Sequence, residues 1–167
     1  MEFYCCLLPV LILLGQIIPS LVLLWKINYF YLRRSLTVKV IGHQWYWAYE
    51  IGDFLGLEFD SYIKSPERLN LGDLRFLEVD NRLVLPVHVP VRFILTSGDV
   101  IHSWALPSFF LKLDAIPGLL TVFFHKFDLV GIFYGQCSEI CGANHAFIPI
   151  VLEVTSFELF KAWLLSF

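Results

Sequence analysis

Between Glu2 and Lys26 the chain runs for 23 residues, FYCCLLPVLILLGQIIPSLVLLW, without a formal charge. As an α-helix rising about 1.5 Å per residue, this stretch would reach roughly 34 Å, enough to cross a hydrocarbon core of about 30 Å. Pro9, Gly15, Gln16 and Pro19 would weaken such a helix in water, but proline and glycine are tolerated in membrane spans. Trp25 and the aromatics from Tyr29 to Tyr31 stand where an interfacial belt belongs. A secretory signal peptide would carry basic residues ahead of a shorter apolar region, and a small-residue cleavage site behind it. Here the charge ahead is acidic and no A-x-A follows, so the stretch reads as a retained anchor. Lys26, Arg33, Arg34 and Lys39 follow it. The positive-inside rule would put the rest of the chain on the inner side, unless other helices of a larger assembly set the topology.

Past the anchor the pattern changes to short runs separated by turn residues. VKVIGHQWYWAYEI, LRFLEVD, RLVLPVHVPVRFILTS, LLTVFFHKF and IPIVLEV are rich in β-branched and aromatic residues, and Gly-Asp, Asp-Asn, Ser-Gly-Asp and Pro-Gly signals bound them. Short strands at this spacing predict an antiparallel sandwich or barrel. The tail SFELFKAWLLSF predicts an amphipathic helix with Ser156 as its N-cap. The expected organisation is an anchor over 1–34, a β domain over 35–155 and a C-terminal helix over 156–167.

Composition narrows the function classes. A chain that is 57% hydrophobic and 16% charged is not disordered, and four cysteines in 167 residues do not make a disulfide-built mini-protein. From Val40 to Phe160 there are 14 acids and seven bases, a net charge of −7. This argues against nucleic acid as a partner, which calls for a basic stripe. An acidic surface steers a basic partner, or it serves only to keep the domain soluble.

One segment stands apart for its chemistry: GQCSEICGANHAFIPI, residues 135–150. Cys137, Cys141 and His145 are spaced four and four, with Glu139 between the thiols. Gly135, Gly142 and Asn144 favour a loop between two strands over a helix. His102, in DVIHSW, is a fourth candidate ligand 35 residues upstream. Zinc accepts two cysteines and two histidines, but its common signatures use other spacings. A mononuclear blue-copper site leaves one thiolate over. Two copper ions bridged by both sulfurs, each finished by one histidine, would use all four donors, and soft thiolates with imidazoles suit copper. A Cys137–Cys141 disulfide or two buried thiols, with both histidines hydrogen-bonded in a core, is the alternative without a metal.

GHQWYWAYE (42–50), LEVDNRLVLP (77–86), DVIHSWALPS (99–108), KLDAIPG (112–118) and YGQCSEICGANH (134–145) closely resemble subunit 2 of mitochondrial-type cytochrome c oxidase, and the likeness runs from about Glu2 to the C-terminus. The resemblance implies an all-β, cupredoxin-like Greek-key barrel with one N-terminal transmembrane helix. The location it implies is the mitochondrial inner membrane, with the soluble domain in the intermembrane space. It also implies a dinuclear copper A centre that accepts electrons from cytochrome c and passes them to haem in subunit 1, oxygen reduction and proton pumping belonging to the whole complex. Carried over by position, His102 and His145 would each bind one copper, Cys137 and Cys141 would bridge, and Glu139 would ligate through its carbonyl. The Glu139 carboxylate would help hold magnesium at the interface with subunit 1, with Asp114 beyond it. Trp45 would be where electrons come in. Gln44, Tyr46, Asp60, Tyr62 and Asp80 would contact cytochrome c, and Glu2 would stand at the mouth of a proton channel.

The chain departs from that pattern in three ways. The family carries a methionine three residues after the second histidine, where this chain has Ile148. Isoleucine cannot ligate, so either the centre assembles with an altered potential or the residue reflects a mitochondrial codon read as isoleucine instead of methionine. The family has two transmembrane helices and this chain matches the second, so the first is expected from a separate polypeptide or lost in processing. Gly56 and Gly98 occupy positions where many members carry acids, which would weaken or move the docking surface. Two other readings stay open: a structural subunit that has lost its copper, and a membrane-tethered copper-binding module.

Overall fold

A computed structural model describes residues 2–29, 35–52 and 56–167, the side chains of 27–29 excepted. The side chain of Tyr29, together with Tyr31, Arg33, Arg34 and Asp53, lies outside the described residues. The chain divides into two units, residues 1–34 and 35–167.

The first unit is helix α1, Glu2–Tyr29, with Pro9 and Pro19 inside it. Its described side chains are exposed and largely apolar on every side. A helix apolar all round finds its burial in lipid or among other helices. Glu2 lies in its first turn and Lys26 in its last.

Among the described residues, the second unit holds ten strands and one α-helix. Strands β1 (Leu36–His43), β2 (Tyr46–Ile51), β3 (Leu57–Ser61), β5 (Pro90–Ser97) and β8 (Thr121–Lys126) form a sheet in the order β3-β2-β1-β5-β8. Strands β4 (Leu83–Pro86), β9 (Gly131–Gln136) and β10 (Pro149–Thr155) form a second sheet, in the order β4-β10-β9. The hairpin of β6 (His102–Leu106) and β7 (Leu111–Ala115) is the third. Alternation in β1 and β2 puts Val38, Val40, Trp47, Tyr49 and Ile51 into the core, whereas β4 and β6 are buried along their whole length. Trp104 lies within 5.3 Å of Phe93, and its indole nitrogen donates to the Tyr49 hydroxyl at 3.3 Å.

Three of the expectations change in detail. The two larger sheets are mixed, not antiparallel: β1 runs parallel to β5, and β4 parallel to β10. The architecture is β-rich and cupredoxin-like, but among the described residues strand pairing does not close a barrel. LRFLEVD does not form a strand. Leu77 and Glu78 turn back onto the Leu74 carbonyl, Phe76 has φ 69°, and only Val79 bridges to Ile63. Helix α2, Phe157–Leu164, begins where the Ser156 side chain accepts from the Leu159 amide at 3.4 Å. It buries Phe160, while Trp163 meets Phe59 at 5.7 Å. A fully buried phenylalanine contributes about 1.5–3 kcal/mol, enough to hold so short a helix on the sheet.

Candidate metal centre

The cysteine segment follows β9 and precedes β10, so two neighbouring strands fix both of its ends. Gly135 lets β9 come close to β6, because a Cβ there would lie 1.8 Å from the Ala105 carbonyl oxygen. The Ser138 amide then donates to the Ser103 carbonyl at 2.9 Å, and the Cys137 amide to the Ile148 carbonyl at 3.0 Å. These contacts bring a local motif against His102, 35 positions earlier in the chain.

Four donor atoms stand in successive contact. His102 Nδ1 is 3.8 Å from Cys137 Sγ, the two sulfurs are 3.9 Å apart, and Cys141 Sγ is 3.4 Å from His145 Nδ1. The ligand atoms of His102, Cys137 and Cys141 lie within 4.8 Å of one another, and His145 is not part of that tight group. A closed zinc tetrahedron with bonds near 2.3 Å would need all donor pairs at roughly 3.8 Å. One imidazole in contact with each sulfur, with His145 outside the tight group, fits two metal ions sharing both sulfurs. The Glu139 carbonyl lies 3.3 Å from Cys137 Sγ. His102 is fully buried, both cysteines are buried, and His145 is half-buried in the 3-10 turn His145–Phe147. Ile148 is buried beside the cysteines and offers no donor atom from its side chain.

Electrostatics distinguish the two thiols. Burial opposes ionisation of Cys137, but its contacts with His102, with the main chain at Glu139 and Ser103, and with Cys141 prevail and bring it down to about 7. Burial, and then the neighbouring Cys137, push Cys141 up to about 12. A thiolate is the metal-binding form, so the pair is poised to give up its first proton near neutrality and its second only to a cation.

Asp99 supports the cluster from behind, which sequence reasoning missed. Its Oδ1 is 2.8 Å from His102 Nε2, and its Oδ2 accepts from the Gln44 amide at 2.6 Å. Burial works against the carboxylate, yet the bonds from His102, Gln44 and Val100 hold it below its usual range. A carboxylate on the far nitrogen of an imidazole fixes which nitrogen faces a metal. Its position three residues ahead of a candidate ligand was the available signal. Gly42 is a second omission: a Cβ there would meet His102 Cδ2 at 2.8 Å.

The other expected site residues fall into three places. Trp45 is partly buried, with no hydrogen-bond partner for its indole nitrogen, and a Cβ built on Gly142 would lie 3.3 Å from its Cζ2. The indole thus lies against the loop that carries Cys141. Tyr46 stacks on Tyr62 at 4.3 Å, the Tyr62 amide donates to Asp80 at 2.8 Å, and Asn81 donates to the Asp60 carbonyl at 2.9 Å. These residues form one exposed patch, and Gln44 links Trp45 back to the metal loop. Asp114 pairs in register with Ser103, beside His102, and accepts from Lys112 at 3.1 Å. Among the described residues, the Glu139 carboxylate and Asp114 gather no third metal donor. Glu2 lies in the other unit. The glycine at 98 has a local reason, since a Cβ there would lie 2.4 Å from His43 Cε1, and Gly56 has φ +68°.

Comparison with known proteins identifies the family. The family described as cytochrome C oxidase subunit II, periplasmic domain, matches residues 36–155. Cytochrome c oxidase subunit 2 of Ascaris suum is 59% identical over 162 residues, 97% of this chain and 70% of the relative. The periplasmic domain of subunit II of cytochrome oxidase (CoxB) of Bradyrhizobium japonicum superposes with TM-score 0.72 at 44% identity, covering 80% of this chain and 94% of that one. The mixed disulfide intermediate between thioredoxin-like TlpAs and subunit II of cytochrome c oxidase superposes with TM-score 0.69 at 42% identity, over 80% of this chain and 91% of that one.

Proposed function

The chain belongs to the cytochrome c oxidase subunit II family, and on that footing we propose that it is the electron-accepting subunit, built to hold a dinuclear copper A centre. The observation that carries this reading is the donor cluster of His102, Cys137, Cys141 and His145, in which each sulfur contacts one imidazole. When bound, the centre takes electrons from cytochrome c and hands them to haem in subunit 1. His102, His145, Cys137, Cys141 and the Glu139 carbonyl are the groups that would hold the copper. Asp99 keeps the His102 ring turned with Nδ1 toward the sulfurs, and Ile148 contributes only apolar cover. Cys137, the more readily ionised of the two thiols, would supply a thiolate to the metal near neutrality.

Electrons reach the centre through Trp45, whose indole lies against the Cys141 loop. The patch of Gln44, Tyr46, Asp60, Tyr62 and Asp80 receives cytochrome c, and the acidic excess of the domain speeds that encounter. The Glu139 carboxylate would help hold magnesium at the interface with subunit 1, with Asp114 beyond it. Residues 1–34 anchor the chain in the mitochondrial inner membrane, with Glu2 at a proton-channel mouth. Residues 35–155 form the copper domain in the intermembrane space, and 156–167 a terminal helix. The relative caught in a mixed disulfide with thioredoxin-like TlpAs supports a thiol-keeping step here as well, because oxidation of the Cys137–Cys141 pair would remove both bridging thiolates.

Ile148 favours a second reading, a structural subunit without copper. Copper analysis of the purified oxidase, with Cys137→Ser and Cys141→Ser beside the parent, separates the two. The parent is expected to hold two more coppers per copy of this chain than the variants, the copper of the haem–copper site being common to all. One more would demote the site to a mononuclear variant, and none would leave the structural reading.

A further inference from the structure

Gln44 sits in the β1–β2 turn, and the family resemblance implies for it a contact with cytochrome c. Its contacts point inward. Its side-chain Nε2 donates to the Cys141 carbonyl at 2.7 Å, and its own amide donates to Asp99 Oδ2 at 2.6 Å. The other oxygen of Asp99 is 2.8 Å from His102 Nε2. The next residue of the metal loop is Gly142, with φ +120°, where a Cβ would come within 2.9 Å of Gln44 Nε2. A side chain there would be strained by the backbone and would crowd the amide off the carbonyl.

We propose that Gln44 is a positioning residue for the copper site, a bracket that ties the loop of Cys141 to the carboxylate that orients His102. The two ligands come from segments far apart in sequence, and β-sheet pairing holds their strands but not the loop between Cys141 and His145. A hydrogen bond across that gap fixes the loop against the turn, and the charge-assisted bond to Asp99 fixes the turn. Because Trp45 follows Gln44 directly, the bracket also sets the indole against the loop. Outer-shell partners of this kind typically change metal affinity about 10–100-fold when removed. The inference rests on the copper reading above.

The test uses the full chain in detergent and in the assembled oxidase, with Gln44→Glu and Gln44→Ala. Gln44→Glu keeps the size but sets an oxygen against the Cys141 carbonyl, and Gln44→Ala removes the reach. Both variants are expected to retain copper about tenfold less tightly in competition with a chelator. Both are also expected to shift the copper hyperfine pattern recorded without cytochrome c, with Gln44→Glu at least as affected as Gln44→Ala. A parent-like spectrum and retention, with only KM for cytochrome c raised, would overturn the proposal and leave Gln44 a docking contact. A parent chain that binds no copper pair would overturn the copper reading instead. The metal-free chain would then decide the bracket by amide hydrogen exchange over residues 142–145, where faster exchange in both variants supports it and unchanged exchange overturns it.

Discussion

Gly42→Ala should loosen copper binding without touching a ligand. Gly42 lies in β1 opposite Trp47, and a Cβ there would be 2.8 Å from His102 Cδ2, 2.9 Å from Cγ and 3.0 Å from Cβ. Carbon atoms settle near 3.5 Å, so the ring must retreat by about 0.6 Å. It has little room: it is fully buried, its Nε2 is held 2.8 Å from Asp99, and Trp47 packs edge-on at 5.9 Å. Overpacking of this kind costs about 1–3 kcal/mol. If the displaced ligand carries that strain in the metal-bound form, copper affinity falls roughly 5–150-fold. Gly52→Ala is the control, since a Cβ there meets nothing within 4 Å. The assay is copper retention by the full chain against a graded chelator, with thermal unfolding of the metal-free protein alongside. Equal retention by the two alanine variants would refute the reasoning and show that His102 yields at no cost.

Other perturbations separate fold from site. Glu78 is almost fully buried, bonds Arg82 at 2.9 Å through both oxygens and accepts from Tyr134 at 3.3 Å. Because Arg82 keeps some contact with solvent, Glu78→Gln should cost about 2 kcal/mol in chemical denaturation, below the figure for a fully buried pair, and leave the copper spectrum unchanged. Ile148→Met is close to volume-conserving and should cost less than about 1.5 kcal/mol while shifting the copper absorption and potential, because a thioether then faces the cluster. A spectrum identical to the parent would show that residue 148 does not reach the metal. The mass of the native peptide over this position distinguishes a true isoleucine from a decoding artefact, and an isoleucine mass eliminates the latter. Trp45→Phe removes an indole nitrogen that bonds nothing, so stability should hold while the rate of reduction by cytochrome c falls in stopped flow; an unchanged rate would move the point of electron arrival elsewhere.

The site was more legible in the sequence than the fold. Cys137, Cys141 and His145 fall within nine residues, so their spacing alone announces a donor cluster, and the glycines around them mark a loop. Gly42 carries no such signal, because its importance arises only when β1 and β6 pack together, and Asp99 carries only its place three residues before His102. Among the strands, β1 and β2 alternate cleanly and can be read directly, whereas β4 and β6 are buried on both faces and lose their period. The parallel pairings of β1 with β5 and β4 with β10 depend on contacts across more than fifty residues, which local pattern does not encode. LRFLEVD shows the converse: its composition suits a strand, but Glu78 is drawn inward to Arg82 and the segment before it turns.

Electron paramagnetic resonance of the purified oxidase tests the central claim most directly. The cluster of two imidazoles and two sulfurs predicts one unpaired electron split by two copper nuclei in this domain, with the splitting altered by His102→Asn and abolished by Cys137→Ser. A signal confined to a single copper nucleus, or its absence from a chain whose thiols are shown to be reduced, would contradict the account.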